Sequence, residues 1–197
     1  GMCLMAGAQA GQAPYKGYSY DSWGEITPGP NIYVPEAEFT SGMMGLNTPL
    51  SGPCDLYTDE KSGCVYIADT GNSRIVVLDG DMRFVREYTG CLDDGVRRPF
   101  NGPRGISLDQ AGNLVVADTA NGQVLRVAPD GTLLDRYMRP DSELYPAEIM
   151  FQPVKAASDL ENNIYALVPS VYQGIVLFSE EGEFLNFFGS NTVNVTA

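Results

Sequence analysis

An internal repeat of about fifty residues is the feature that most limits the folds open to this chain of 197 residues. Three segments align on a proline at their start and on an aromatic residue at their end. They run from Pro53 to Tyr88, from Pro103 to Tyr137 and from Pro153 to Phe188. The prolines are 50 and 50 residues apart, and the aromatic residues 49 and 51. Self-similarity at this period is typical of architectures in which each unit packs only on its neighbours.

Each repeat is interpreted as four short strands. In the second repeat the predicted strands cover 105–108, 114–117, 123–127 and 133–137, and Asp-Gln-Ala-Gly and Pro-Asp-Gly form tight turns between them. A four-stranded meander cannot bury both of its faces alone, so it must stack on copies of itself. Radial stacking of such sheets gives a β-propeller. The predicted fold class is therefore all-β, with four-stranded antiparallel blades.

The residues of the second repeat also carry a resemblance to a known family. From residue 103 to residue 124 the chain reads Pro-x-Gly-Ile-x-x-Asp-x-x-Gly-Asn-Leu-x-Val-Ala-Asp-Thr-x-Asn-x-x-Val, which resembles the NHL repeat. Residues 69–75 carry its most characteristic stretch in the first copy. In the third copy Val168 and Pro169 replace Asp-Thr, and an extra residue precedes Ile175. The resemblance covers residues 53–189 and implies an NHL-type propeller of about six blades.

Three copies cannot close a ring, so an incomplete ring or half-ring is expected. Either the natural chain continues for roughly three more blades, or two copies form a homodimer of three plus three blades. The predicted organisation is a signal remnant or disordered start, an N-terminal strap with a clasp strand, three blades, two connections and a tail. In order, these are 1–13, 14–52, blade 53–90, connection 91–102, blade 103–139, connection 140–152, blade 153–189 and tail 190–197.

Charge excludes one broad class of partner. The chain has 12 Lys and Arg against 25 Asp and Glu, and its formal net charge is −13. Such a chain is repelled by phosphate backbones, so nucleic acid is not an expected partner. It contains no His. The commonest general base and the commonest zinc ligand are therefore missing.

The first residues suggest export. A short apolar run ends in Ala8-Gln9-Ala10, which matches a signal-peptidase pattern; the alternative is a disordered terminus of small residues. No apolar run is long enough to span a bilayer. We expect a secreted or extracytoplasmic protein, anchored to a membrane only through a segment outside this sequence. The aromatic-rich stretch 15–24 is either a structural strap or an exposed surface that stacks on a sugar or peptide.

Four cysteines are present, at positions 3, 54, 64 and 91. Export would permit disulfides, but no spacing suggests a metal or redox site. Free thiols are favoured, with a bridge between Cys54 and Cys64 as the alternative.

Two acids recur with the repeat, and each is followed by Thr, a small residue and Asn. We interpret Asp69, Asn72, Asp118 and Asn121 as structural turn residues, with each carboxylate accepting backbone N–H groups. The competing hypothesis is an acid/base pair. A carboxylate that returns with the repeat is what a blade-forming turn requires, which favours the structural interpretation.

Ligands of propellers usually meet the face made by the loops after the second strands and by the connections between blades. On a rigid scaffold, long loops are where binding sites are built. The candidate ligand-binding residues on this face are Arg74, Arg97, Arg98, Phe100, Arg104, Gln123, Tyr145, Lys155 and Tyr172. The alternative for Arg97 and Arg98 is that they are solvated loop charges.

Related propellers include calcium-dependent lactonases and a zinc-dependent lyase. The lyase metal is held by His, which this chain lacks. A lactonase-like site needs converging oxygen ligands. Asp55 is the one acid placed near the start of an innermost strand, and Lys155 at the equivalent position would repel a cation. We therefore expect no catalytic residues, no metal and no cofactor, with calcium only under the lactonase-like alternative.

The expected function is an exported, non-catalytic binding or scaffold module for a protein, peptide or carbohydrate. One alternative is a metal-dependent lactonase-like or lyase-like propeller whose site lies partly in further blades. Another is the structural outer domain of a membrane-anchored protein.

Overall fold

The computed structural model describes residues 18–29 and 37–189. The chain divides into two compact units, residues 1–40 and 41–197. The predicted signal remnant, the tail and most of the clasp strand lie outside the described residues. Residues 37–40 of the predicted clasp are described and are not in a strand.

In the described part of the first unit, β1 (Tyr18–Tyr20) and β2 (Ile26–Pro28) form an antiparallel hairpin. The Asp21 carboxylate shapes its turn by accepting the backbone N–H groups of Trp23 and Glu25 at 2.8 and 2.9 Å. The Trp23 side chain is 88% exposed.

The second unit holds three four-stranded antiparallel meanders, in which each strand pairs with the next in sequence. The first sheet consists of β3 (Asp55–Thr58), β4 (Val65–Asp69), β5 (Arg74–Leu78) and β6 (Phe84–Tyr88). A two-stranded hairpin of β7 (Gly90–Asp93) and β8 (Val96–Pro99) follows. The second sheet consists of β9 (Pro103–Leu108), β10 (Leu114–Asp118), β11 (Gln123–Val127) and β12 (Leu133–Tyr137). The third consists of β13 (Lys155–Ser158), β14 (Ile164–Leu167), β15 (Ile175–Phe178) and β16 (Phe184–Phe188).

The four strands predicted for the second repeat are confirmed, with β9 beginning two residues earlier than expected. The sequence did not predict the β7–β8 hairpin inside the 91–102 connection. Its turn contains Asp94 and Gly95, both with positive φ, which are the residue types that tight hairpins accept. The described residues form three blade-like sheets and no closed ring.

Apolar layers hold the sheets together. Between the first and second sheets, Ile75 packs with Ile106 and Leu125; between the second and third, Val124 packs with Val176 and Phe178. Alternation along each strand sends one set of side chains to each face, so every sheet needs a neighbour on both sides.

The two outer faces of this stack differ. On the first sheet, Val76 and Leu78 are fully buried, and Met44 from the preceding segment packs on them. On the far face of the third sheet, Leu167 and Phe188 remain 43% and 56% exposed. The equivalent residues of the first sheet lie against the second sheet. The far face of the third sheet is therefore equivalent to the face of the first sheet that packs on the second sheet, but no described sheet packs on it.

The innermost strand of the second sheet lies against those of its neighbours. Gly105 in β9 makes this possible, because a Cβ there would lie 2.6 Å from the Val154 carbonyl oxygen and 2.7 Å from Lys155 Cα. Both contacts are with backbone, which cannot swing away as a flexible side chain can.

Geometry excludes the Cys54–Cys64 disulfide. Cys54 lies just before β3 and Cys64 just before β4, and these strands are antiparallel, so the two residues lie at opposite ends of the pair. At about 3.3 Å per residue their separation is roughly 15 Å or more, far beyond the Cα separation of about 7 Å that a disulfide tolerates. Both thiols are free, as is the buried thiol of Cys91.

Gly105→Ala tests the close approach of the inner strands. We expect it to lower the free energy of unfolding by about 1–3 kcal/mol, since the backbone of the third sheet must move away. The control is Gly42→Ala, where a Cβ meets nothing within 4 Å. Denaturant unfolding of both variants measures the difference; equal stability of the two would contradict the account.

Candidate functional site

The loop end of the sheets, where the second strands end and the connections arrive, holds most of the candidate residues. Asp69 and Asp118 end their strands here and are fully buried. A short 3-10 turn follows each of them, at Thr70–Asn72 and Thr119–Asn121.

Each carboxylate fastens the connection that enters its own sheet. Asp69 Oδ1 accepts the Ser51 N–H, and Asp118 Oδ1 accepts the Asn101 N–H, both at 2.7 Å. The sequence predicted that each carboxylate accepts N–H groups of its own turn. The N–H group instead belongs to a residue 18 positions before Asp69 or 17 positions before Asp118. Asn72 and Asn121 each donate an amide N–H to the other carboxylate oxygen at 2.8 Å. Both acids therefore hold the entering connection and the turn in place.

The threonines of the same motif reach forward to the next sheet. Thr70 Oγ1 donates to the Pro103 carbonyl, and Thr119 Oγ1 donates to the Pro153 carbonyl, both at 2.7 Å. In the third copy Val168 and Pro169 occupy these positions and have no polar side-chain atom. The motif therefore joins the first sheet to the second and the second to the third.

Arg74 is buried, and its guanidinium is fully engaged, so it does not offer the ligand contact that the sequence suggested. Nε and Nη1 form ion pairs with Asp69 at 2.7 Å and Glu87 at 2.8 Å, and Nη2 donates to the Thr48 carbonyl at 2.7 Å. Burial alone would lower the pKa of Arg74, but its hydrogen bonds to Asp69 and Glu87 outweigh that effect and raise the pKa above the usual value.

Gln123 holds the position of Arg74 in the second sheet. Its amide donates to Asp118 Oδ2 at 2.8 Å. One sheet thus uses a cation and the other a neutral amide to satisfy the equivalent buried carboxylates, Asp69 and Asp118. Both side chains therefore bind the buried acid of their own sheet.

A three-strand buckle lies across the innermost strands, and it consists of Asp55, Lys155 and the backbone of Ile106. Asp55 Oδ2 accepts the Ile106 N–H at 2.8 Å, and Lys155 Nζ donates to the Ile106 carbonyl at 2.9 Å. Lys155 Nζ also forms an ion pair with Asp55 Oδ2. The pair satisfies the open edge of β9 and links the first sheet to the third.

In the buckle, the Asp55 carboxylate is bound by Lys155, which is one of its two repeat equivalents. The equivalent residues are a glycine and a lysine, and the lysine neutralises the acid. Among the described residues, no group of three or more His, Cys, Asp or Glu is arranged to hold a metal ion.

Two candidates remain accessible at the loop end. Arg104 is exposed, and no described residue pairs with its guanidinium. Tyr172 is 92% exposed, on the loop that replaces the Asp-Thr motif in the third sheet. Val168 and Val171 are buried below this loop and hold its base, and the Val171 N–H donates to the Val168 carbonyl at 3.0 Å.

Arg97 and Arg98 lie on β8. Arg97 donates to the Thr89 hydroxyl, and Arg98 Nε lies 3.4 Å from Asp93 Oδ2. Arg136 of β12 binds the same Asp93 oxygen at 2.9 Å. The Asp93 contacts dock the hairpin onto the second sheet.

Phe100 and Tyr145 are core residues. They are 4% and 2% exposed and pack between neighbouring sheets, so neither presents a ring to a ligand. Arg139 lies over the Tyr145 ring, 5.0 Å from its centroid. Burial raises the pKa of the Tyr145 hydroxyl. Both rings lie between strands, in the connections where the sequence placed them. An aromatic side chain in a connection can point either outward to a ligand or inward to the core, and these two point inward.

Replacing Arg74 tests whether this side chain serves the buried acid. Arg74→Met should cost about 3–5 kcal/mol of stability, because it leaves the Asp69 carboxylate buried without its cation. Arg74→Gln should cost clearly less, since an amide can donate to the acid as Gln123 does. Thermal and denaturant unfolding compare the two; an equal loss would show that Asp69 does not depend on a donor at position 74.

Comparison with known proteins adds a family and a fold. A family model described as NHL repeat matches residues 100–127. NHL repeat-containing protein 2 of Gallus gallus is 32% identical over 88 residues, and its Homo sapiens counterpart is 30% identical over 89 residues. Each alignment covers 41% of this chain but 12% of the relative's length.

Solved structures show the same architecture over a larger share of the chain. A streptogramin B lyase structure matches with a TM-score of 0.54 and 18% identity, over 90% of this chain and 48% of that one. A catalytically inactive virginiamycin B lyase from Staphylococcus aureus with quinupristin matches with a TM-score of 0.51 and 16% identity, over 90% and 49%. At these identities the likeness concerns the fold alone.

No helix with the length and apolar character of a membrane span occurs in the part of the chain that the structure describes. The repeat match, the three meanders and the likeness to propeller structures agree on one assignment. The chain therefore contains the NHL repeat and has the fold of an NHL-type β-propeller, of which the described residues form three blades.

Proposed function

We propose that this chain is an exported, non-catalytic binding or scaffold module that takes a protein, peptide or carbohydrate partner at the loop end of its sheets. One observation carries the proposal. The charged side chains buried or half-buried at that end are used to join strands, as in the Asp69–Arg74 pair and the Asp55–Lys155 buckle. The exposed candidate side chains, Arg104 and Tyr172, are of types that often contact binding partners.

Arg104 and Tyr172 are suited to such contacts. Arg and Tyr are enriched among the residues that dominate binding energy at interfaces, since each combines a large contact area with polar groups. Arg104 extends from β9 between two residues held by the core, Pro103 and Gly105, both buried. An exposed side chain on a rigid strand loses little backbone freedom when it binds.

Export is proposed on the sequence pattern at Ala8-Gln9-Ala10 alone. A chain of this acidity would also avoid nonspecific contact with nucleic acid.

Binding to peptide and glycan arrays tests the proposed contact surface. We expect ligands that bind the wild-type chain to lose at least tenfold in affinity with Arg104→Ala or Tyr172→Ala, because both variants truncate exposed contact side chains. Arg83→Ala and Leu160→Ala are the matched controls, since Arg83 and Leu160 are exposed and lie outside this surface. Equal losses in all four variants, or calcium-dependent turnover of a lactone, would contradict the proposal.

A second copy of the chain is the partner that we propose for the far face of the third sheet. That face presents Leu167 and Phe188 in the positions that sheet-to-sheet packing covers elsewhere. Exposed apolar surface of this kind is typical of interaction sites. On the front face of the first sheet, Leu56 is 55% exposed beside the cluster that Met44 covers, so two copies could cover each other's ends.

Light scattering tests this pairing. We expect twice the chain mass of 21.3 kDa. Leu167→Glu should give the monomer, since it places a charge in the buried contact, and Leu160→Glu, at an 83% exposed position outside the face, should not. A folded wild-type chain that stays monomeric at all concentrations would refute the pairing.

A further inference from the structure

A groove lies beside the outer strand of the third sheet, at a place where the preceding segment bonds to the sheet in each of the other two. It has a volume of about 570 Å³. One wall is the start of the connection after β12, including Met138 and Ser142. The other wall is the beginning of β16 with the turn before it, including Gly182 and Phe184.

In the first sheet, the chain itself fills the equivalent place. Phe84 begins β6 opposite Leu78, as Phe184 begins β16 opposite Phe178. The Phe84 N–H donates to the Met44 carbonyl at 2.7 Å. The Met44 side chain is 4% exposed and packs in a cluster with Leu78.

In the second sheet, β7 occupies the corresponding place. The Leu92 N–H donates to the Gly131 carbonyl at 2.8 Å, and Leu92 and Thr132 form a parallel bridge. A groove of about 570 Å³ remains beside this contact. The neighbouring Cys91 side chain is buried in the cluster that contains Val127, the counterpart of Leu78. In both sheets a segment from the preceding connection contributes one backbone bond and one apolar side chain.

In the third sheet the preceding connection takes another course. Its apolar side chains Tyr145 and Phe151 turn into the core between the second and third sheets. Arg139 binds the carbonyls of Pro146 and Ala147 and so holds the connection in a compact loop. Within the described residues, no backbone group from outside the sheet bonds to the Phe184 N–H.

We propose that this groove is a docking site for a short peptide segment of a partner protein. The peptide supplies a backbone carbonyl to the Phe184 N–H and a side chain of Met or Leu size to the surface of Phe184 and Met138. Met138 is 57% exposed. Strand edges recognise peptides in this way, with main-chain bonds for affinity and side-chain pockets for specificity.

Charge favours a basic residue beside the apolar one. The rim of the groove carries the carboxylates of Asp141 and Glu183, which make no ion pair with any described residue. Arg136 is paired with Asp93, whereas Arg139 binds neutral carbonyls and keeps its charge, so the two carboxylates outnumber the one cation without an acidic partner. The rim therefore presents net negative charge to an incoming peptide.

The probe is a synthetic peptide of residues 41–47, acetylated and amidated, with Lys in place of its Ser, because this segment fills the equivalent place in the first sheet. We expect a saturable shift of the Phe184 amide resonance in the intact chain at millimolar peptide. Met138→Trp should weaken binding at least tenfold by filling the groove. Met150→Trp is the matched control, since Met150 is 67% exposed and outside the groove, and should leave the affinity unchanged.

A peptide in which Asp replaces Met44 should not bind. A photoreactive methionine at the Met44 position should crosslink to Met138 or Phe184, which tests the site in the wild-type chain without any substitution. No saturable shift, equal affinity in Met138→Trp, or crosslinks confined to other surfaces would overturn the proposal.

Discussion

The buried carboxylates of Asp69 and Asp118 are the interaction on which the arrangement of the sheets depends. A charged carboxylate without water must receive hydrogen bonds, and each of these acids receives three donors from its surroundings. One donor belongs to the chain that enters the sheet. The acid therefore fixes where the connection lies, and the Thr that follows fixes the next sheet.

A second constraint acts at the innermost strands. Gly105 permits the backbones of the second and third sheets to approach, and that approach lets Lys155 cross to Asp55. The acid–lysine pair then satisfies a strand edge that would otherwise be open. These contacts use most of the charged groups near the loop end. Of the candidate residues at that end, Arg104 and Tyr172 remain exposed.

The repeat predicted the sheets because its two signals, strand alternation and turn chemistry, are local. The Asp-Thr-x-Asn stretch could be read as structural for the same reason. The burial of a side chain depends on residues that are distant in sequence, which the repeat pattern does not show. Arg74, Phe100 and Tyr145 were therefore expected to contact a ligand, but they are buried. The spacing of 100 residues between Asp55 and Lys155 was visible in the sequence. Their contact was not, because it depends on the glycine at the equivalent position between them.

The third repeat shows where sequence departures have structural consequences. Without Asp and Thr it cannot fasten its connection or a following sheet in the same way, and its loop carries the exposed Tyr172. Its connection turns inward, which leaves the outer strand open. Both departures leave exposed side chains on the third sheet, at Tyr172 and at the outer strand.

Hydrogen exchange of a Thr119→Val variant tests most directly the claim that the motif joins one sheet to the next. The variant keeps the shape of the side chain and loses the bond to the Pro153 carbonyl, which is worth about 1 kcal/mol, together with the longer contact to the Ala117 carbonyl at 3.3 Å. The account predicts faster amide exchange in β13 and β14, with the first sheet unchanged. Unchanged exchange in the third sheet, or equal acceleration in all three sheets, would contradict it.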